Sequence, residues 1–449
     1  MNLSIFDMLY PKYKITKPIR LIEFFAGYGS QALALKYLGV EFEHWKICEW
    51  AIKSIQAYKD IHFTDNTDYS KELTTQEIKD YLFNKGISSN YNDPMTQQQV
   101  NRLSEQQIRI IYNNIKVTNN LVNIQQVKGK DLEIVDVDKY DYILTYSFPC
   151  QDLSLAGKGK GMSDTSTRSG MLWEVERILT ECYDLGTLPQ ILLMENVPQV
   201  HGSDNVQDFN KWQLRLEELG YKNYFQDLIA TDYGIPQTRN RCFMISILGD
   251  YSYTFPKPVP LKLKLKDMLE DNVDEKYYLS DKMINYITAD NKKWTGNNGE
   301  SLINKTYAST LNTNEGSRRC DASNYISEDV GENYNLKIKN ATKKGYLEAT
   351  DGDGIDISSR MEHHRGTVQK GKTQTLTTSG GNDIGVVNSD LKIRKLTPKE
   401  CFRLMGVKDE DFEKCAKNQS DSSLYHLAGD SIVVNVLMAI FQELLWKKE

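Results

Sequence analysis

The 449-residue sequence holds seven cysteines but no C-x-x-C pair. An odd, dispersed set neither frames a disulfide scaffold nor spaces a structural zinc site, so it reads as the reduced thiols of a cytoplasmic protein. No uninterrupted apolar run has membrane-spanning length, which argues against a bilayer span. The opening residues, MNLSIFDMLYPKYK, lack a basic stretch followed by an apolar one, so no secretory signal is read there. There is no internal repeat. Charge of one sign is not in great excess either. The formal net charge is -6, which argues against a wholly basic surface but not against a local basic groove.

What is present is an alternation. IRLIEFFAGYGSQALALKYLGV reads strand, glycine turn, helix, with Ala32, Leu33, Leu35 and Leu38 at helical spacing. EFEHWKIC, YDYILTYS, QILLM and CFMISIL are short apolar runs of strand length, and helical patterns lie between several of them. Such alternation predicts an α/β fold, a sheet with helices on its faces. Residues from about 71 to 120 are polar and helix-prone, with Thr74 and Glu77 spaced as a capping box and Gly86 as a stop. Three prolines in FPKPVP mark a boundary near residue 256. From Lys257 to Lys399 there are 23 Lys and Arg against 20 Asp and Glu, so the surplus of positive charge lies in this loop-rich region and the remainder is acidic. SIVVNVLMAIFQELLW reads as an amphipathic helix that returns to the first domain, because so large an apolar face needs a partner. The expected domains are therefore 1–256, 257–393 and 394–449.

In open α/β sheets, ligands bind beyond the carboxyl ends of the strands. Four clusters fall there: AGYGS, Glu49, PCQ with Cys150, and ENV with Glu195. Gly27 and Gly29 allow a tight turn and a close backbone approach to a ligand. Glu49, about 20 residues on, suits ribose hydroxyls. Alone, these two features also fit a nicotinamide enzyme. Phe25 and Trp50 read equally as core or as platforms for an adenosine ring. Cys150, on a turn behind Pro149, has no core reason to be there, and a thiol is an intrinsically good nucleophile. Glu195, after a fully apolar run, reads as a helix N-cap neighbour or, with the cysteine adjacent, as a partly buried acid that can share or donate a proton. QTRNR offers Arg239 and Arg241 as guanidinium forks for a carbonyl or a phosphate, against the alternative of a solvated basic turn. Two tempting metal signals fail. DGDGID has Gly and Asp at the wrong positions for an EF-hand, and His363 and His364 are adjacent and cannot share a helical face. No metal site is read.

These residues resemble, in order, the motifs of the DNA (cytosine-5) methyltransferases of the bacterial and phage restriction-modification type. FFAGYGSQALAL is similar to the cofactor glycine loop and CEW to the acidic cofactor residue. SFPCQDLS resembles the catalytic loop, MENVPQV the Glu-Asn-Val element and YGIPQTRNRCFMI the Gln-x-Arg-x-Arg strand. RKLTPKECFRLMGV and AGDSIVVNVL resemble the elements that follow target recognition. The resemblance implies a Rossmann-like domain for S-adenosyl-L-methionine with a smaller target-recognition domain, acting on double-stranded DNA. It implies that Cys150 attacks carbon 6 of a flipped cytosine while Glu195 engages the ring nitrogen and amine. Arg241 would hold the carbonyl oxygen, with Arg239 supporting it or contacting phosphate. Phe25, Gly27, Gly29, Glu49, Trp50, Asn123, Leu172, Asp430 and Ser431 would hold the cofactor. Thr375 and Leu376, with Gly380 and Gly381, would lie where sequence is read. The closing motif here is Gly429-Asp430-Ser431, with Asp in place of the family's usual Asn.

Three rivals compete with this reading. A transfer-RNA methyltransferase of the same fold has a small recognition region, whereas more than 130 residues separate the Arg strand from RKLTPKE here. A nicotinamide oxidoreductase leaves PCQ, ENV and QTRNR unexplained. A silent DNA-binding module has no need of Cys150, Glu195 and Arg241 together. The expected protein is a cytoplasmic monomer with no membrane partner, any cognate restriction endonuclease acting as a separate protein.

Overall fold

The computed structural model describes residues 10–149, 169–277, 336–358, 365–376, 384–387 and 393–445. The sheet is laid down by β1 (Ile19–Phe24), β2 (Phe42–Cys48), β3 (Asp141–Tyr146), β4 (Ile191–Asn196), β5 (Tyr221–Ile229) and β6 (Asn240–Leu248). Its order is β2-β1-β3-β4-β6-β5. The first four strands are parallel, and β6 runs antiparallel to both of its neighbours. Between them lie α1 (Ser30–Tyr37), α2 (Ile52–His62), α6 (Leu172–Asp184) and α7 (Val206–Glu218). This is the α/β architecture expected from the alternation.

Side chains of a strand alternate between the two faces, and here each face builds its own core. Leu21, Ile143, Leu193 and Ile245 join Leu33 of α1 on one side. Ile22, Leu144, Leu192 and Met244 join Val175, Ile178, Phe209 and Trp212 of α6 and α7 on the other. Each fully buried side chain of this kind contributes about 1.5–3 kcal/mol. With both faces covered, polar groups escape the core chiefly at strand ends, and that is where the clusters noted above emerge.

β5 was not anticipated. YKNYFQDLI is an edge strand, half-exposed along its middle, so its apolar signal is weak. The polar stretch did fold as helices: α3 (Thr75–Lys85), α4 (Gln97–Asn101) and α5 (Glu105–Val117). Thr74 and Glu77 form the reciprocal cap, and Gly86 ends α3 in the left-handed region at φ 69°. These helices share a small core of Ile78, Leu82, Val100, Ile108 and Ile111, closed against Ile55 of α2.

The last segment forms α8 (Pro398–Leu404), α9 (Asp409–Ala416), α10 (Asp421–Asp430) and α11 (Val434–Leu444). α11 packs on α1 as expected, but it starts later than the sequence pattern, because Ser431–Val433 break the run. Taken together, Asp421–Leu444 is long and apolar enough to cross a bilayer by composition, with mean hydropathy 1.6. It is interrupted at 431–433 and 72% of its apolar window is buried inside the protein, so the core accounts for its hydropathy.

The loop-rich region contributes β7 (Leu336–Lys339) paired with β8 (Tyr346–Ala349). A second small sheet, in the order β10-β9-β11-β12, comprises β9 (Gly354–Asp356), β10 (Val368–Gln369), β11 (Ile384–Val387) and β12 (Ile393–Lys395). Asp353 of DGDGID is an internal brace. Its carboxylate accepts from Thr350 N at 2.7 Å, Gly371 N at 2.9 Å and Lys370 Nζ at 2.7 Å.

Candidate active site

The carboxyl ends of β1–β4 open into one cavity of about 430 Å³, closed on the far side by residues at the end of α10. Phe25, Gly27, Glu49, Trp50, Asn123, Pro149, Glu195, Arg239, Arg241, Asp430 and Ser431 all line it. Cys150 lies outside the described residues, directly after Pro149.

One end is built from backbone. Phe25 sits at φ 56°, a region that costs a bulky residue about 1 kcal/mol or more. It is held there by its N–H, which donates to Cys48 O at 2.8 Å. Gly27 at φ 55° turns its N–H onto Glu49 Oε2 at 2.9 Å, and Ala51 N donates to Glu49 Oε1 at 2.8 Å. Gly29 at φ 82° tolerates no side chain, since a Cβ would collide with His62 Nε2 and meet the Tyr58 ring at 2.6 Å. Gly29 therefore shapes the loop from beneath and is not among the lining residues. Burial raises the Glu49 carboxyl to about 7, against the backbone donors of Ala51, Gly27 and Trp50 that favour its charge. Asn123, buried, caps the short turn after it by accepting from Gln125 N at 3.1 Å.

The other end is built from charged side chains. Glu195, at the tip of β4, is 6% exposed and pairs with Arg241 Nε at 3.1 Å. Burial pushes its carboxyl upward, with Arg241 and Arg239 opposing the shift. The next residue, Asn196, donates from Nδ2 to Phe148 O at 3.0 Å and so ties the β4 tip to the segment leading into Cys150. A buried acid beside a guanidinium can trade a proton with a nitrogen base while the guanidinium holds a neighbouring oxygen.

Three expectations need correction, and for Arg239 the supporting role remains while the phosphate contact does not. Arg239 is 4% exposed, and its Nη atoms donate to Leu376 O at 3.0 Å, Gly429 O at 3.0 Å and Ser431 O at 2.8 Å. It clamps β6 to the closing motif and to the loop-rich region, and a group so buried and committed does not reach a phosphate. Leu172, the first residue of α6, is fully buried in the core; its neighbour Met171 lines the cavity instead. Leu376 is 1% exposed, with its N–H donating to Gln237 Oε1 at 3.2 Å, so it offers no edge to a base. Thr375 turns its hydroxyl onto Thr238 O at 3.3 Å, which makes this pair a seam between the two lobes rather than a reading head. Gly380 and Gly381 lie outside the described residues.

At the closing motif, Ser431 Oγ donates to Ala428 O at 3.0 Å and meets Tyr28 Oη at 2.8 Å. Asp430 is half-exposed at the rim, its Oδ2 2.9 Å from His426 Nε2. Other site residues gave no sequence signal. Asn120, buried, accepts from Glu49 N at 3.1 Å and donates to Glu49 O at 2.9 Å, fixing the carboxylate's own backbone. Gln237, the first residue of QTRNR, had a place in the motif but no partner until the fold supplied one: it donates to Leu404 O at 2.7 Å. Buried amides of this kind look like any other Asn or Gln until their partners are in place. Among the described residues, five cysteines are free and buried, as a reduced set would be.

A family model, C-5 cytosine-specific DNA methylase, matches residues 86–446. The Type II methyltransferase M2.ScrFI of Lactococcus lactis subsp. cremoris is 32% identical over 430 residues, which cover 95% of this chain and 99% of the relative. The orphan methyltransferase M.SssI of Spiroplasma monobiae is 32% identical over 439 residues, covering 96% and 98%. Among solved structures, the Dnmt2 methyltransferase of S. pombe gives a TM-score of 0.50 at 16% identity, over 95% of this chain and 98% of that one. The methyltransferase EhMeth of Entamoeba histolytica gives 0.51 at 14% identity, over 96% and 98%. At such identities the structural likeness speaks for the fold alone.

Proposed function

The chain belongs to the C-5 cytosine-specific DNA methylases and is a DNA cytosine-5 methyltransferase, and from that premise we propose how its cavity divides the work. The Gly27–Glu49 end holds S-adenosylmethionine, and the Glu195–Arg241 end holds a cytosine flipped from duplex DNA. The observation that carries this reading is the placement of a backbone-bound carboxylate and an arginine-bound carboxylate in one cavity of about 430 Å³, a volume ordinary for a small-molecule site. S-adenosylmethionine, when bound, supplies an electrophilic methyl group.

Carbon 5 of cytosine is too weak a nucleophile to take that group unaided. Cys150 adds through Sγ to carbon 6, and the displaced electron pair makes carbon 5 nucleophilic. Glu195, whose burial favours its protonated form, supports the ring nitrogen as charge develops there, and Arg241 holds the carbonyl oxygen. Loss of the carbon 5 proton then returns the pair and breaks the bond to Sγ. A base inside the stack cannot reach this cavity, so flipping is required, at a few kcal/mol. Arg239 keeps the two lobes and the closing motif in register around the base.

The test is incubation of duplex DNA with S-adenosylmethionine labelled in its methyl group, followed by nucleoside analysis. Label in 5-methylcytosine is expected. Label in a methylated exocyclic amine, or none in DNA, overturns the reading.

A further inference from the structure

The helical insertion reaches the cofactor end of the cavity. Its loop between α3 and α4 brings Tyr91, Asn92 and Pro94 to the lining, beside Glu49 and Asp430. The loop is anchored to the cofactor segment itself. Ser88 N donates to Trp50 O at 2.8 Å, and Ile52 N donates to Ser88 O at 2.9 Å. Within the loop, Asn90 Oδ1 accepts from Asn92 N at 2.9 Å and Asp93 N at 3.0 Å, and Ser88 Oγ donates to Asp93 O at 2.7 Å.

This bracing holds Tyr91 at φ 64°, a conformation a tyrosine rarely adopts. Tyr91 lines the cavity, and its ring lies on His426 with ring centroids 3.8 Å apart. His426 in turn meets Asp430. The Tyr91 hydroxyl is buried close to Ser54 and Ser423 and within the field of Glu49 and Asp430, yet it makes no hydrogen bond of ordinary geometry among the described residues. A strained residue lining a binding cavity, whose buried hydroxyl has neighbours but no hydrogen bond of ordinary geometry among the described residues, leaves a bond for a ligand to complete.

We propose that Tyr91 is a cofactor-binding residue contributed by the insertion, closing over S-adenosylmethionine with its ring and donating its hydroxyl to the part of the cofactor that Glu49 and Asp430 face. The inference rests on the assignment of this end of the cavity to the cofactor. The insertion thereby acquires a role in cofactor binding. Ser88, Asn90 and Trp50 hold the loop, and the small core under α3 and α5 supports it. Among the described residues, the Tyr91 ring lies on His426 and the charges acting on its hydroxyl are those of Glu49 and Asp430, at the cofactor end, so its contribution is to hold the cofactor and not to the covalent step.

The test uses the full chain and three forms of position 91: wild type, Tyr91→Phe and Tyr91→Gly. Glycine accepts positive φ without strain, so Tyr91→Gly deletes the side chain while relieving the backbone. Calorimetry with S-adenosylmethionine and with its demethylated product is combined with steady-state kinetics on duplex DNA. Tyr91→Gly is expected to weaken binding of both by about tenfold, as loss of a ring contact together with a hydrogen bond would. KM for the cofactor should rise in step, with kcat at saturation and KM for DNA unchanged. Tyr91→Phe should recover part of the affinity, because the ring remains. A merely structural role would instead lower the melting temperature and kcat while leaving the affinity of the folded fraction intact, and that result overturns the proposal. So does cofactor affinity in Tyr91→Gly equal to wild type. Failure of the wild type itself to bind S-adenosylmethionine would instead overturn the assignment of the cavity.

Discussion

Two buried carboxylates stand at opposite ends of one cavity, and their surroundings differ in kind. Glu49 is satisfied by the N–H groups of Gly27 and Ala51, while Glu195 is satisfied by the guanidinium of Arg241. Backbone donors do not move and do not exchange charge, so Glu49 is a fixed acceptor that shapes a loop and presents its remaining lone pairs to a ligand. An arginine partner leaves a carboxylate able to take or release a proton as charge develops nearby. Burial raises both groups, yet in the proposed division of the cavity only the second faces the base, where proton exchange would help the chemistry. A raised carboxyl is therefore not by itself the mark of a catalytic acid; what holds it decides.

If the two ends are distinct in this way, changes at each should separate binding from turnover. Glu195→Gln keeps shape but cannot exchange a proton, so kcat should fall by about 10²–10⁴-fold with cofactor affinity unchanged. Single-turnover methylation and calorimetry on the same preparation check this. Arg239→Ala leaves the carbonyls of Leu376, Gly429 and Ser431 without their donor. A loss of about 3 kcal/mol in unfolding free energy is expected, read by denaturant titration. If Arg239 instead served phosphate alone, stability would hold and only DNA affinity would drop.

Glu49→Ala should weaken S-adenosylmethionine binding by about 1–3 kcal/mol, and calorimetry showing unchanged affinity would remove Glu49 from the site. The remaining effect concerns pH. The Glu49 carboxyl lies near 4.5 in the unfolded chain and is raised to about 7 in the folded one. Between those values the folded state binds more protons, so its contribution to stability falls as pH rises. Glu49→Gln has no such slope. Its melting temperature relative to wild type, without cofactor, should climb from pH 4.5 to about 7 and then level off. Glu23 is shifted the same way, to about 7, while His44 and His62 are lowered to about 4 and 3 and act in the opposite sense as pH falls below 6.5. The variant-minus-wild-type difference isolates Glu49 from these.

Much of the cavity was legible because strand ends in a doubly covered sheet are where polar residues must emerge. Gly27, Glu49, Glu195 and Arg241 each lie beside an apolar run, and the structure brings all four to one place. The ordered motifs added their roles. What stayed hidden depends on tertiary partners. Arg239 and Arg241 look alike two residues apart, but one faces three carbonyls and the other a carboxylate. Thr375 and Leu376 sit in a polar, loop-rich stretch, and only the docking of that stretch on Gln237 and Arg239 buries the leucine. Tyr91 gave no signal because its neighbour His426 lies more than 300 residues away in the chain. β5 was missed because an edge strand needs little apolar surface.

The covalent step at the base end is tested most directly with a duplex in which 5-fluorocytosine replaces cytosine. Fluorine cannot leave carbon 5 as a proton does, so the bond from Cys150 to carbon 6 should persist after methyl transfer. The expected result is a protein–DNA adduct that survives denaturation, depends on S-adenosylmethionine, maps to Cys150 by mass spectrometry and is lost in Cys150→Ala while that variant still binds the cofactor. Methylation without any adduct, an adduct at another residue, or a fully active Cys150→Ala would contradict it.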